Sequence, residues 1–254
     1  MQAFLTIAVR AARKAGDYIV READKIRSVQ SKSSNDFVTN VDEAAEKLII
    51  DTIAQAYPDH SFLGEESGHS GSGEYRWIID PIDGTTNYIR KVPHWCISIA
   101  CTYRGRSEVA VIYDPIREEL FTAVKGRGAQ LNDKRIRVSQ TNGLEHSLLA
   151  TGFPFRHPQK LAEYNRIFNQ LFPHCADMRR GGSAALDLAY VAAGRFDGFW
   201  EFGLNEWDIA AGTLLVTEAG GIVSDFSGNP NYQNSNSLLA ANPKAFKSML
   251  KLIN

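Results

Sequence analysis

The N-terminal part of the chain alternates apolar and charged positions with the period of a helix. From Phe4 onward, apolar side chains recur at three- and four-residue spacing and charged side chains occupy the opposite face. A second stretch of this period covers residues 42–57, where Asn40 and Glu43 have the spacing of a capping box and Pro58 follows the last turn. The pattern predicts two amphipathic helices before residue 60.

After residue 60 the period shortens, and strands alternate with further helices. Arg104-Gly105-Arg106 has the composition of a hairpin turn. The predicted strands are residues 61–63, 77–79, 96–103, 108–113, 120–124, 136–138, 147–151, 196–201, 222–225 and 238–241. The predicted helices are residues 157–172, 183–193 and 207–219, with a terminal helix from Pro243. Because no repeat or long linker interrupts this order, we expect one layered α/β domain of two packed halves, approximately 1–145 and 146–254.

Composition narrows the class of protein. The chain has 254 residues, of which 44% are hydrophobic, enough for one globular core. Its 28 basic and 29 acidic residues nearly cancel, so no global field attracts nucleic acid or an anionic membrane. No apolar run is long enough to cross a bilayer, and charges interrupt the first twenty residues, unlike a secretory signal. Three cysteines without disulfide or zinc spacing indicate a reducing compartment, and we expect a cytoplasmic protein.

A pair of carboxylates stands where a buried strand ends and a short helix begins. Asp80 and Asp83 flank this exit, and Gly84 and Thr85 follow them. Consecutive backbone N–H groups at the start of a helix can bind an anion, so the segment predicts a phosphate cradle beside two acids. The alternative is that both aspartates only cap the turn.

Two more acids have similar settings. Glu65 follows a strand that ends in Gly64, and Asp208 occupies the first turn of a helix that is apolar on nearly every side. If Glu65 and Asp208 converge with the aspartate pair, their charges sum to -4, and bound cations are needed to keep all four ionised. Hard oxygen ligands favour Mg²⁺ or Mn²⁺ over Zn²⁺. Two Mg²⁺ neutralise the acids, and a bound phosphate dianion then requires a third Mg²⁺ or Lys32 together with helix N-termini.

The order of these motifs resembles the inositol monophosphatase family. The resemblance rests on Gly64-Glu65-Glu66, on Asp80-Pro81-Ile82-Asp83-Gly84-Thr85, and on Trp207-Asp208 followed by Ala211-Gly212. It extends over almost the whole chain, including residues 32–42 and Gly182-Ser183-Ala184-Ala185, and residues 150–155 and 183–190 resemble the bacterial SuhB-type branch. The resemblance implies an αβαβα five-layer sandwich and a lithium-sensitive hydrolase that binds two or three Mg²⁺. Its substrates would be myo-inositol monophosphates and related polyol phosphates, cleaved by metal-activated water.

The resemblance also implies a role for individual positions. The metal ligands would be Glu65, Asp80, Asp83, Asp208 and the Ile82 carbonyl, and the catalytic residues would be Glu65, Asp83 and Thr85. Substrate would contact Gly84, Thr85, Gly182, Ser183, Ala184, Glu201 and Asp208. Lys32 would lie near the phosphate or its metal, although a plain helix cap remains the alternative for Ser183.

Other functions fit the same residues. Asn205-Glu206 departs from the basic residue and proline expected in bacterial relatives, so fructose 1,6-bisphosphatase and nucleotide 3'-phosphatase activities stay open. SuhB-type proteins are also associated with transcription antitermination as partners of RNA polymerase and Nus factors. Residues 125–137 carry a local charge of +4, which suits such a partner or an ordinary solvated hairpin. A homodimer is a further expectation.

Overall fold

Seven α-helices and three sheets occur within residues 1–24, 29–33 and 36–254, which are the residues that the structure describes. The structure is a computed structural model, and the side chains of residues 29–33, 36, 37 and 234 lie outside its description. The helices are α1 (Gln2–Glu22), α2 (Asn40–Ala54), α3 (Thr85–Ile89), α4 (Leu161–Leu171), α5 (Ala184–Ala192), α6 (Glu206–Glu218) and α7 (Pro243–Ile253). The strands are β1 (Val29–Ser33), β2 (Asp36–Thr39), β3 (Ser61–Gly64), β4 (Gly68–Ser70), β5 (Tyr75–Asp83), β6 (Cys96–Tyr103), β7 (Arg106–Asp114), β8 (Glu119–Val124), β9 (Gly128–Leu131), β10 (Lys134–Ile136), β11 (Leu148–Thr151), β12 (Asp177–Arg179), β13 (Gly198–Phe202), β14 (Ile222–Ser224) and β15 (Ser237–Ala241).

The largest sheet has eight strands in the order β10-β9-β8-β7-β6-β5-β3-β4. Its neighbours pair antiparallel except β3 and β5, which run parallel. Because the carboxyl ends of parallel neighbours meet at the same edge, the residues that follow β3 and those that end β5 lie side by side. This edge holds the predicted acids Glu65, Asp80 and Asp83.

A second sheet of five strands is built from the C-terminal part of the chain. Its order is β12-β11-β13-β15-β14, with β11 parallel to both of its neighbours and β15 antiparallel to both of its own. The strands β1 and β2 form a separate antiparallel pair. The carboxyl end of β13 carries Glu201 toward the same region as the acids of the first sheet.

The sheets and helices alternate in five layers. Helices α1 and α2 cover one face of the eight-stranded sheet, and α5 and α6 lie between the two sheets. Helices α4 and α7 cover the outer face of the five-stranded sheet. The αβαβα arrangement expected from the resemblance is therefore confirmed, since close structural relatives share it.

Helix α6 is buried on both sides because both sheets pack on it. Nine consecutive residues from Asp208 to Val216 are buried, as its uniformly apolar sequence predicts. At its crossing with α5, a Cβ on Gly212 would lie 2.6 Å from the Leu188 Cβ, so only glycine permits this approach. The burial of α6 carries Asp208 into the interior.

The longest helix, α1, is amphipathic. Small and aliphatic side chains form its buried face. The Tyr113 ring packs against Gly16, where a Cβ would lie only 2.8 Å from the ring. Across the described ranges, no helix has both the length and the apolar character that a bilayer crossing requires.

Several predicted boundaries were wrong. Helix α2 begins at Asn40 rather than near Asp42, and its capping box joins Thr39 and Asp42 instead of Asn40 and Glu43: the Thr39 N–H donates to Asp42 at 2.9 Å. A 3₁₀ turn replaces the first residues of the helix predicted at 157–172. The short strands β1, β2, β4, β9 and β12 were missed because their polar sequences lack a strand period.

Candidate active site

Strand exits from both sheets and the first turn of α6 surround a cavity of about 320 Å³. Among residues whose side chains the structure describes, every one predicted to bind metal, phosphate or alcohol lines it. These residues are Glu65, Asp80, Ile82, Asp83, Gly84, Thr85, Gly182, Ser183, Ala184, Glu201 and Asp208. The backbone of Lys32 belongs to β1, and its side chain lies outside the described residues.

A bulge in β5 brings its two aspartates together. In a regular strand, Asp80 and Asp83 would point to opposite faces because they are an odd number of residues apart. The pairing with β6 slips by one residue between them, so that Asp80 is opposite Ser98 and Asp83 is opposite Cys96. This extra residue reverses the alternation. The strand extends beyond the predicted residues 77–79 to Asp83, and Pro81 lies within the bulge, where its missing N–H is tolerated.

Three buried carboxylates converge at one end of the cavity. Each of Asp80, Asp83 and Asp208 offers an oxygen, and these oxygens all lie within 4.8 Å of one another. Backbone N–H groups fix each side chain: that of Ile82 donates to Asp80 at 3.0 Å, that of Ala185 to Asp83 at 2.7 Å, and that of Asn205 to Asp208 at 2.7 Å. The Ser183 hydroxyl also donates to Asp83, at 2.6 Å, while it caps α5 through the Leu186 N–H at 3.3 Å. Ser183 is thus the cap of α5, and its predicted contact with substrate stays a prediction.

Burial makes this group of carboxylates costly to ionise. Burial, together with the charges of neighbouring carboxylates, raises the pKa of Asp80 well above its ordinary value, that of Asp83 to about 6 and that of Asp208 to about 7. Arg156 lies 3.7 Å from Asp208 and partly offsets this charge. A set of hard oxygens with so little compensating positive charge fits divalent cations such as Mg²⁺.

Glu65 reaches the cavity from a loop that a second glutamate holds in place. The Glu65 N–H donates to the Ile79 carbonyl at 3.1 Å. Beneath the loop, the buried Glu46 carboxylate accepts the N–H groups of Glu66 and Ser67, each at 2.8 Å. A Cβ on Gly64 would lie 2.4 Å from the Glu46 Cδ, so glycine is required there.

Thr85 is linked to a second acid of α2. Its hydroxyl lies 3.1 Å from the Ile82 carbonyl and 3.3 Å from Asp42 Oδ1, and donates toward both. Burial raises the pKa of Asp42 to about 6. The preceding Gly84 has φ +103°, and a Cβ there would lie 3.2 Å from the His94 carbonyl oxygen. Asp42 and Glu46 were not predicted as site residues, although their four-residue spacing on the apolar side of α2 was a signal.

The other end of the cavity comes from the C-terminal part of the chain. Burial raises the pKa of Glu201 to about 8, and the charge of Asp208 adds to this effect. A Cβ on Gly152 would lie 2.0 Å from the Glu201 Cδ, so this glycine leaves room for the carboxyl. Arg180 lies at the rim with its guanidinium 5.3 Å from the Phe153 ring centre. No sequence motif pointed to Arg156 or Arg180 in this role.

The departure at Asn205-Glu206 has a structural counterpart. Glu206 forms a partly buried ion pair with Arg76 of β5, which ties the start of α6 to the first sheet. The backbone of Asn205 holds Asp208. Both residues therefore stabilise the entry of α6, and neither is among the described residues that line the cavity.

Comparisons with known proteins agree with this geometry. A family model described as the inositol monophosphatase family matches residues 1–253. A protein of Salmonella typhimurium called Nus factor SuhB is 57% identical over 98% of this chain and 95% of its own length. The crystal structure of the extragenic suppressor protein suhB from Bartonella henselae has a TM-score of 0.96 at 41% identity, over 99% of this chain and 98% of that one. The structure of inositol monophosphatase from Anabaena has a TM-score of 0.89 at 40% identity, over 99% and 95% of the two chains.

Proposed function

The chain belongs to the inositol monophosphatase family, and from this premise we propose that it is a Mg²⁺-dependent phosphomonoesterase. Its substrates are myo-inositol monophosphates and related polyol phosphates, which it converts to free alcohol and phosphate. The observation that carries the proposal is the convergence of Asp80, Asp83 and Asp208 within 4.8 Å at one end of a cavity whose other end holds Glu201. A volume of about 320 Å³ suits a small phosphorylated polyol.

The acids of the first sheet and α6 hold the cations. The ligands are Glu65, Asp80, the Ile82 carbonyl, Asp83 and Asp208. When bound, divalent cations neutralise the carboxylates and the phosphate oxygens and lower the pKa of the attacking water.

The chain's own groups orient the reactants. The Thr85 hydroxyl has one proton, which Asp42 accepts when the Ile82 carbonyl is a metal ligand, and its lone pairs stay free to accept a hydrogen bond from the attacking water. The Glu65 carboxylate accepts a hydrogen bond from the other O–H of that water and so orients it. The N–H groups of Gly84 and Thr85 hold the phosphate. Glu201, Gly182, Ser183 and Ala184 face the hydroxyl groups of the alcohol.

A substrate panel tests the proposal. Phosphate release is measured from inositol 1-phosphate, glycerol 2-phosphate, fructose 1,6-bisphosphate and adenosine 3',5'-bisphosphate, with EDTA, Mg²⁺, Mn²⁺, or Mg²⁺ plus Li⁺. We expect turnover that requires Mg²⁺ or Mn²⁺, is highest with inositol 1-phosphate and is inhibited by Li⁺. A preference for either bisphosphate would favour the alternative phosphatase activities. Turnover in EDTA equal to that in Mg²⁺ would contradict the metal-dependent mechanism.

We propose a second role as a transcription partner that binds RNA polymerase or Nus factors. Its support is the name Nus factor SuhB of a relative that is 57% identical, together with the basic side chains of residues 125–137. Within that segment Arg127, Lys134 and Arg135 are exposed, and Lys125 pairs with Glu108 at 2.8 Å. The exposed charges leave a surface that a partner can contact.

Charge reversal separates this role from catalysis. Lys134→Glu with Arg135→Glu should weaken retention by RNA polymerase or Nus components and leave phosphate release unchanged. Lys244→Glu with Lys247→Glu reverses equal charge on exposed positions of α7 and should change neither. Retention that survives the first pair would remove the hairpin from the interface.

A further inference from the structure

One buried carboxyl in the cavity wall has no hydrogen-bond donor among the described residues. Asp187 on α5 is 2% exposed and lines the cavity with Asp83 and Glu201. Its Oδ1 is enclosed without a hydrogen-bond partner in the described part of the chain. Burial raises the pKa of Asp187 well above its ordinary value, and the charges of Glu201 and Asp83 raise it further, while Arg180 lowers it.

A carboxyl in this state destabilises the free protein. A buried polar group without a partner loses the hydrogen bonds that water gave it in the unfolded chain. The carboxylates at the metal end avoid this loss, since Asp83 and Asp208 both accept backbone N–H groups. Asp187 therefore needs an explanation other than stability, and a ligand in the cavity supplies one.

The surroundings of Asp187 are small and polar. A Cβ on Gly181 would lie 3.1 Å from Asp187 Oδ1 and 2.5 Å from His94 Nε2, which is also buried without a partner among the described residues. The Asn87 amide donates to the Gly181 carbonyl at 3.0 Å and fixes this loop. Two buried polar atoms without partners among the described residues, Asp187 Oδ1 and His94 Nε2, thus both lie next to Gly181.

The position of Asp187 indicates which part of a ligand it meets. It follows Ser183 by four residues on α5, which is ~6 Å of helix rise. Ser183 contacts Asp83 at the metal end, so Asp187 stands about one helical turn beyond that contact along α5. We therefore expect a three-carbon alcohol held by its phosphate to fall short of Asp187 and a six-membered ring to reach it.

We propose that Asp187 is a specificity-determining residue that, beside Glu201, hydrogen-bonds a hydroxyl of the alcohol remote from the phosphate. The inference rests on the proposed phosphatase function and narrows its substrate class to ring-sized polyol monophosphates. A carboxyl group accepts a hydrogen bond from a hydroxyl and, when protonated, also donates one. Hydroxyl-rich rings therefore satisfy Asp187, and glycerol phosphates do not.

Two nearly isosteric variants test the role. Asp187→Leu removes donor and acceptor, and Asp187→Asn keeps both. With inositol 1-phosphate, we expect Asp187→Leu to raise KM about 10- to 100-fold with kcat within about threefold, because a site built for a hydroxyl loses its partner. With glycerol 2-phosphate, KM and kcat of Asp187→Leu should stay within about threefold of the parent chain. Asp187→Asn should have KM and kcat within about threefold of the parent chain with both substrates.

Structural alternatives predict different results. If Asp187 had only a structural role, as a hydrogen-bond partner of His94 behind the loop of Gly181, Asp187→Leu would lose the same fraction of activity with both substrates. Asp187→Asn as poor as Asp187→Leu, or a Leu variant that fails to fold or melts below the parent chain, would overturn the proposal as well. A melting temperature at or above that of the parent chain supports it.

A binding measurement distinguishes the role of Asp187 from the phosphatase function. Calorimetric titration with inositol 1-phosphate, with Ca²⁺ in place of Mg²⁺, reads affinity without requiring turnover. A Kd raised about 10- to 100-fold in Asp187→Leu supports the role of Asp187 even if the parent chain releases no phosphate from any substrate. Equal affinity of parent and Leu variant overturns it even if the phosphatase function holds.

Discussion

The two ends of the cavity are built on different principles. At the metal end, Asp80, Asp83 and Asp208 each accept a backbone N–H group, so their positions are set before any ligand binds. At the alcohol end, Glu201 and Asp187 are both buried, and Asp187 Oδ1 has no hydrogen-bond partner in the described part of the chain. We expect the metal end, whose carboxylates are already held in place, to act on every phosphate ester in the same way. The alcohol end, where a buried carboxyl gains its hydrogen bond only from a ligand, should discriminate between alcohols.

The most severe test of this contrast is Asp83→Asn. The variant removes one charge of the metal set, and we expect kcat to fall at least about 10³-fold, or ~4 kcal/mol, with inositol 1-phosphate and glycerol 2-phosphate alike. Circular dichroism should show an intact fold, since the change relieves repulsion between buried acids. The exposed Asp133→Asn serves as control. A loss confined to one substrate would contradict the division between the two ends.

A smaller effect on activity is expected from Glu46, which holds the loop that carries Glu65. Glu46→Gln keeps the size of the side chain but weakens the bonds to the Glu66 and Ser67 N–H groups, so Glu65 is less well placed. We expect about 10- to 100-fold lower activity at limiting Mg²⁺, with recovery at high Mg²⁺. Glu43→Gln changes an exposed glutamate of the same helix and should have no effect. An unchanged Mg²⁺ requirement in Glu46→Gln would show that Glu65 is positioned otherwise.

Ser183 connects the two ends, and its removal should have a moderate effect. Ser183→Ala deletes the α5 cap and the hydroxyl donor to Asp83, so we expect ~1 kcal/mol lower stability and about tenfold lower kcat. Asn242→Ala removes the cap of α7, far from the cavity, and should lower stability without lowering kcat. Equal kcat in both variants would reduce Ser183 to a helix cap.

The smallest effect concerns the pH dependence of stability without metal. Raised pKa values mean that the folded chain holds protons which the unfolded chain releases near pH 4, so stability falls as pH rises through about 6 to 8. We expect the melting temperature in EDTA to drop by a few degrees between pH 5.5 and 8, and Mg²⁺ to reduce this drop. Asp208→Asn should also reduce it in EDTA. A melting temperature that rises with pH in EDTA would contradict the raised pKa values.

The metal end was also the more predictable end. Glu65, Asp80, Asp83 and Asp208 were all identified as acids at strand exits or a helix start, and the structure gathers them around one cavity. Arg156, Asp187 and Glu46 escaped prediction. Arg156 lies outside any periodic motif, and Asp187 is one polar residue in a buried helix, so neither has a local signal. Only Glu46, four residues after Asp42 on the buried side of α2, offered one.

The sequence alone determined the type and order of most helices and strands and the acids that end them, because periodicity reports which side of each element is buried. The tertiary structure decided what each buried group meets. The bulge that turns Asp80 and Asp83 to one side depends on pairing with β6, and the approach of Arg156 to Asp208 depends on how a distant loop docks against α6. Local patterns cannot encode such partners, since the contact distances are set by packing between segments far apart in the chain.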